Sequence, residues 1–485
     1  MGVAVMAGAA RRTGSARGPA LALVLALCLY APATGGSEVE LHLRTVGQGY
    51  QTRTVAGELL DRYRITQWLS LRAVRLLDHP KLRLDARLRL DTDLGLTGDP
   101  EADGAGALDL LALNLQARDL FDRLDVTLGR QWLLDAIDFC QLDGLRLDLK
   151  LPAGFGLRLL GGFAVRDRSW LGGRLLELDG VDQGHTPAPL VGAAASWRWR
   201  ATGLRISYRR TVLWQPGWPL DAERLGAAGW SRWFGGRLGV ESSAVYDLAR
   251  DRLGRVRADV HGRLPWPPRD LRLEVGFLRL VPHFALDSIF DFFSPAPFWQ
   301  LRAGLRWRAP GERFPLSLGL GGYFRRYGVA AAPAEPGAHL GRRVLGTELD
   351  GRLLLGRAGW LWLLAGFEDG AAGRRWMLAP GVSWGWLDGA LRLDGRALLL
   401  SVDDPVRDSF DALSAGGAAG LRWRFGPGRG LLLSAELHGN RVNPLRWRLS
   451  AVLDLAFVTG PGGLPCPTCA GSACWRRWRW PGWPP

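Results

Sequence analysis

Strict two-residue alternation of apolar and charged side chains dominates this chain. Leu82-Arg83-Leu84-Asp85-Ala86-Arg87-Leu88-Arg89-Leu90-Asp91 alternates without a break, as does Leu145-Arg146-Leu147-Asp148-Leu149-Lys150-Leu151. Segments 301–308, 391–399 and 445–449 repeat the pattern. In an extended strand successive side chains point to opposite faces, so each segment has one apolar and one charged face. Such segments recur from Val39 to Val458, between turns such as Pro152-Ala153-Gly154, Gly235-Gly236, Asp388-Gly389 and the Gly-rich stretch 426–430. The pattern predicts about twenty strands of roughly ten residues each. Residues 108–123 read as two strands and a turn rather than a helix.

The N-terminus has the layout of a secretory signal at residues 1–33: Arg11, Arg12 and Arg17, then an apolar stretch from Ala20 to Tyr30, then Ala31-Pro32-Ala33 as a cleavage site. The Arg11-Arg12 pair lacks the residues that follow a twin-arginine signal. Cys28 follows Leu27, where a lipidated cysteine needs a small residue before it. Beyond Ala33 no apolar run approaches the ~18 residues of a helical span. The other structure that satisfies its whole backbone in lipid is a closed barrel.

Alternation alone also fits a soluble sandwich. Three features favour the membrane. About twenty similar strands exceed one sandwich, while barrels of about 16–22 strands are ordinary. The apolar phase is Leu, Val, Ala and Trp, with few β-branched residues to interlock. Aromatics cluster near strand ends, as at Trp197, Trp199, Trp214, Trp218, Trp230, Trp233, Trp360, Trp362, Trp384 and Trp386, the placement of interfacial girdles. The expected fold is therefore all-β: a transmembrane, antiparallel, up-and-down barrel over residues 34–458, followed by a Cys/Pro/Trp-rich tail at 459–485. Longer connections at Arg166 to Pro189, Pro282 to Pro297, Ala330 to Gly341 and Asp403 to Asp411 would form one rim.

The net charge is +15, and Lys81 and Lys150 are the only lysines. No basic block or nucleic-acid motif accompanies that charge. Nine clean segments (82–91, 124–132, 145–151, 204–209, 271–277, 301–308, 391–397, 421–425 and 445–457) show where it goes. Their polar phase holds Arg83, Arg87, Arg89, Arg146, Lys150, Arg205, Arg209, Arg272, Arg302, Arg306, Arg308, Arg392, Arg396, Arg422, Arg424, Arg446 and Arg448. Against these stand Asp85, Asp91, Asp125, Asp148, Glu274, Asp394 and Asp454. In a barrel that phase lines the lumen, and an arginine excess there favours anions. Full pairing with these acids would still leave ten cations. Arg130 departs from the scheme, falling in the apolar phase of Leu124, Val126 and Leu128, either at the rim or beside a bulge at Gly129.

Leu128-Gly129-Arg130-Gln131, followed by Asp135-Ala136-Ile137-Asp138-Phe139 and Leu142-Asp143-Gly144, resembles the GRQ…DG stretch of porin-like outer-membrane proteins, including the alginate-export type and porin-like proteins of deltaproteobacteria. Residues 281–293 are similar to a second marker of that group. The resemblance implies a bacterial outer-membrane channel and marks Gly129, Arg130, Gln131, Asp143 and Gly144. It also implies an alternative, since some porin-like barrels sheath a periplasmic multihaem cytochrome. This chain carries no haem-attachment motif, and no cofactor or metal is expected.

Phe284, Phe290, Phe292, Phe293, Phe298 and Trp299 form an aromatic group that suits a lumen constriction, a partner contact or an interfacial anchor. In the tail, Cys466, Cys469 and Cys474 fit an unstructured appendage, with a disulfide next and a metal site, with Cys140 as a possible fourth ligand, last. Of the histidines, His42 and His438 fall in strands, while His79, His185, His261, His283 and His339 fall mostly in turns. No nucleophile elbow, Walker loop or dinucleotide fingerprint appears. An outer-membrane enzyme thus has only scattered Ser, His and Asp to support it.

Overall fold

The computed structural model describes residues 38–53, 59–93, 106–165, 187–266, 269–281, 297–309, 315–328, 343–356, 358–370, 373–403, 412–440 and 445–459. Residues 1–33, expected as a signal, the cysteine tail, Phe284 to Phe293 and most of the long connections lie outside them.

Twenty-two strands follow in chain order. They are β1 (Glu38–Arg53), β2 (Leu59–Val74), β3 (Leu82–Asp93), β4 (Gly106–Leu120), β5 (Leu124–Leu134), β6 (Phe139–Lys150), β7 (Phe155–Ala164), β8 (Pro189–Trp199), β9 (Thr202–Val212), β10 (Leu220–Trp233) and β11 (Leu238–Asp247). The second half comprises β12 (Arg252–Trp266), β13 (Arg269–Leu280), β14 (Phe298–Ala309), β15 (Leu316–Tyr327), β16 (Arg343–Leu355), β17 (Gly359–Gly370), β18 (Gly373–Trp386), β19 (Leu391–Asp403), β20 (Ala412–Gly426), β21 (Arg429–Gly439) and β22 (Arg446–Thr459).

Each strand pairs antiparallel with its chain neighbours. β22 returns to β1, with Leu41 opposite Phe457 and Arg44 opposite Asp454. The sheet is closed, so no strand edge is left to template aggregation. Residues 106–120 are one strand, not the two expected, because β4 pairs continuously with β3 across the presumed turn, slipping by one residue between Arg87 and Leu88. His261, expected in a turn, lies within β12.

The alternation explains the wall. Leu128, Leu204, Leu320 and Leu345 are exposed, at 57, 46, 60 and 62%, while the opposite phase of the wall carries the arginines, as Arg205 does beside Leu204. Each Leu held in water forgoes about 1.5–3 kcal/mol of burial, and tens of such side chains make an aqueous exterior untenable. Aromatic pairs mark both ends of this belt. Trp197 stacks on Trp199 at 6.3 Å, and Trp423 meets Phe425 at 5.3 Å, both beside the tight connections 200–201 and 427–428. Phe163 stacks on Trp214 at 5.8 Å, and Trp299 meets Phe324 at 5.2 Å, at the opposite rim. That rim also carries the long connections, so it faces outward from the cell, and the rim bearing Glu38 and Thr459 faces the periplasm.

Three of the ten tryptophans expected in the girdles do not lie there. Trp360 and Trp362 share the charged face. The guanidinium of Arg392 lies 3.9 Å from the Trp360 ring centre, and a Cβ on inward Gly381 would strike Trp362. Trp230 pairs across from Gly203, on the face of Arg205 and Ser207.

Candidate functional site: a hairpin folded into the barrel

The β5–β6 hairpin leaves the wall. β5 pairs with β4 only as far as Arg130, opposite Leu113. Beyond it, Gln131 to Leu134 pair with β6 alone, while β4 continues upward along β3. The bend occurs at a row of glycines: Gly129 faces Gly144, which faces Gly162. Gly129 has φ of 113°, and a Cβ there would lie 2.2 Å from the Leu113 carbonyl oxygen. A Cβ on Gly144 would lie 2.2 Å from the Gly161 oxygen. Only glycine lets three strands approach and turn together here.

Leaving the wall strands the β4 carbonyls that β5 would have paired, and an unsatisfied buried carbonyl is costly. Arg130, only 5% exposed, fills the gap. It donates to the Leu110 carbonyl at 2.9 Å and grips Asp143 through two nitrogens, Nε at 2.7 Å from Oδ1. Gln141 donates to the Leu111 carbonyl, the residue skipped in the β3–β4 register. Gln131 donates to the Gly144 carbonyl at 3.3 Å. Arg130 is therefore inside the wall and not at the rim, and the register slips of β4 fall at Leu111 against β3 and between Ala117 and Leu120 against β5, not at Gly129. Gly129, Arg130, Gln131, Asp143 and Gly144 act together as the hinge of an inward bend.

Beyond the hinge the tip crosses the interior. Leu133, Leu142 and Leu190 bury one another to 2% exposure or less. Ala136 and Ile137 lie over β9 and β10. The Ala136 N–H donates to Ser207 Oγ at 3.3 Å, and a Cβ on Gly226 would strike the Ile137 nitrogen. Four arginines hold the tip. Arg209 and Arg224 both donate to Asp138, Arg224 at 2.8 Å. Arg255 donates to the Ile137 carbonyl at 2.8 Å, and Arg205 to that of Leu134 at 3.4 Å. Asp135 folds back to accept from the Ile137 and Asp138 N–H groups and lies 3.8 Å from Arg209. β9 and β10 keep Leu204, Ile206 and Leu225 exposed on the far side, and β12 keeps Val260 and Leu264 exposed there. The tip therefore reaches them through the enclosed space.

The remaining basic residues of the polar phase mostly meet acids. Arg87 pairs with Asp85, Arg89 with Asp91 and Asp109, and Arg146 with Asp148. Lys150 contacts Asp119 and Asp125, Arg272 contacts Asp270, Arg302 contacts Asp259, Arg306 contacts Asp350, and Glu436 lies between Arg396 and Arg448. Asp109, Asp119, Asp138, Asp259, Asp270, Asp350 and Glu436 were absent from the nine-segment count, so pairing absorbs more cations than that count allowed. Other members have different company: Arg392 lies on Trp360, Arg424 donates to the Gly389 carbonyl, and the buried Nε of Arg83 has no hydrogen-bond partner among the described residues. Sequence reading missed three of the residues that hold the tip: Arg224 shares its phase of β10 with Ala222, Gly226 and Ala228, Arg255 lies in β12, outside the nine segments, and Ser207 is an uncharged member of segment 204–209. Phe298 and Trp299, grouped together in the sequence, split within β14, Phe298 against Tyr327 and Trp299 on the outer wall against Phe324.

A closed 22-stranded wall, apolar outside and charged within, with a hairpin folded into its bore, defines a porin-like β-barrel of the outer membrane. Solved structures with a related outline include Pseudomonas aeruginosa OpdK with vanillate (TM-score 0.44, 9% identity, covering 87% of this chain and 99% of that one). A BenF-like porin from Pseudomonas fluorescens Pf-5 gives TM-score 0.44 and 10% identity, with 87% and 99% covered. Acinetobacter baumannii OccAB1 gives 0.44 and 7%, with 87% and 96% covered. No protein-family model matches the chain, and no curated protein matches it.

Proposed function

We propose that this barrel is a channel for small anionic solutes, with Arg83, Arg87, Arg89, Arg146, Lys150, Arg205, Arg209, Arg302, Arg306, Arg392, Arg396, Arg422, Arg424, Arg446 and Arg448 lining its lumen and the β5–β6 tip narrowing it. The observation that carries the reading is the seat of that tip. Asp138 occupies a fork between Arg209 and Arg224, the position that a solute carboxylate or phosphate would seek. Arginines elsewhere on the inner wall lower the entry barrier for anions, and their pairing with acids keeps each interaction weak enough for release. The tip also occupies bore that a threaded cytochrome would need, which favours a channel over a sheath. The likeness to alginate exporters rests on the GRQ…DG stretch alone.

The test is the reversal potential of the refolded protein in a planar bilayer under a tenfold KCl gradient. Anion-selective open channels are expected. Cation selectivity, or a folded barrel that never conducts, would overturn the reading.

A further inference from the structure

We infer that the outer wall of β13–β16, at the long-connection rim, binds the phosphates of an anionic glycolipid in the outer leaflet. The pairing registers set Arg279 opposite Trp299, Trp299 opposite Arg326, and Arg326 opposite Arg343. All four belong to the outward phase. One register step below them lie Phe277, Leu301, Phe324 and Leu345, with Leu301 and Leu345 exposed at 49 and 62%. The arginines therefore stand just above the apolar belt, at headgroup depth, beside the interfacial Trp299–Phe324 pair. All three are exposed.

The charge arrangement is what singles the patch out. Two arginines directly opposite on one face of a sheet repel. Elsewhere on this outer rim cations face acids: Arg210 stands opposite Glu223, and Arg374 stands between Asp369 and Asp403, with Asp369 at 3.7 Å. On β13–β16 three cations share one row, and among the described residues none has an acidic partner. Three strand spacings make that row about 14 Å wide, enough for more than one phosphate of a single headgroup. A phosphate between Arg326 and Arg343 would turn their repulsion into bidentate hydrogen bonding. Because the row faces out of the cylinder, a solute in the lumen does not reach it, so this site stands or falls separately from the channel reading.

The experiment uses the full refolded chain in a zwitterionic detergent and three probes: bisphosphorylated lipid A, its monophosphorylated form, and a dephosphorylated form. Binding is followed by native mass spectrometry. Bisphosphorylated lipid A should bind with an affinity that falls with salt, the monophosphorylated form more weakly, and the dephosphorylated form least. The R279Q/R326Q/R343Q variant should lose at least tenfold in affinity while keeping heat-modifiable mobility and wild-type conductance. If the triple variant does not fold, R326Q alone should lose several-fold. Equal binding of all three lipids, or undiminished binding by the variants, would overturn the inference.

Discussion

Arg209 and Arg224 stand directly opposite each other across β9 and β10, and Asp138 lies between them. This geometry makes Asp138→Asn an informative perturbation. The side chain keeps its shape and one acceptor oxygen but loses its charge. Two like charges about 5 Å apart repel by about 3 kcal/mol at an effective dielectric of 20. Arg209 is only 7% exposed, so solvent screens that repulsion poorly, whereas Asp138 is 33% exposed and already partly hydrated. Charge-assisted bonds to the tip contribute a further 1.5–3 kcal/mol or so each, part of which Asn retains. Seating of the tip should therefore weaken by about 2–4 kcal/mol, a factor of about 30 to 1,000 in the seated population. The contacts of Leu133 with Leu142 and Leu190, and the bonds from Arg205 and Arg255 to main-chain carbonyls, remain and keep the hairpin folded. Single-channel recording of D138N should show a larger conductance, more flicker, and a stronger preference for anions, since one negative charge has gone from the bore. A variant with wild-type conductance, noise and reversal potential would refute the idea that this ion-pair fork holds the constriction.

The other expectations are independent of that one. Gly144→Val should block the inward bend by driving a side chain into the Gly161 carbonyl, and refolding should yield little of the compact heat-modifiable band. Arg130→Met should cost about 3 kcal/mol, the lower end for breaking a buried pair because Asp143 is 34% exposed; the R130M/D143L double variant should recover part of it, as read from urea-unfolding midpoints in micelles. Glu436→Gln should change stability by less than about 1 kcal/mol, since its arginine partners are half-exposed. Leu320→Arg, on the lipid side of β15, should cost about 2–4 kcal/mol of stability in bilayers, while Ala418→Arg, on the charged face near Glu436, should be tolerated.

The barrel itself was legible because alternation in a strand leaves a direct mark on sequence: segment 82–91 falls within two residues of β3, and 145–151 marks the second half of β6. Where the inward phase is small, as along β8 and β10, no such mark exists, and Trp230 was assigned to the wrong face for that reason. The same cause hid Arg224, whereas Arg255 begins a charged phase with Arg257, Asp259, His261 and Arg263 that lay outside the nine segments. The glycine and arginine of the hinge were visible as anomalies, Arg130 sitting in an apolar phase. What made them intelligible was the departure of β5 from β4, which depends on pairings that no local pattern records.

The bonds that seat the tip join residues far apart in the chain: 71 positions separate Asp138 from Arg209, 86 separate it from Arg224, and 118 separate Ile137 from Arg255. The Asp138 fork needs β9 and β10, and the full set cannot form until β12 has been laid down and the sheet has curled far enough to bring these strands under the hairpin. Loop-closure entropy delays such distant contacts. The narrowing of the bore is therefore a late event in assembly. A half-built wall would pass through a stage in which the hairpin projects, its aspartates bare and its arginine fork vacant, before the cylinder swallows it.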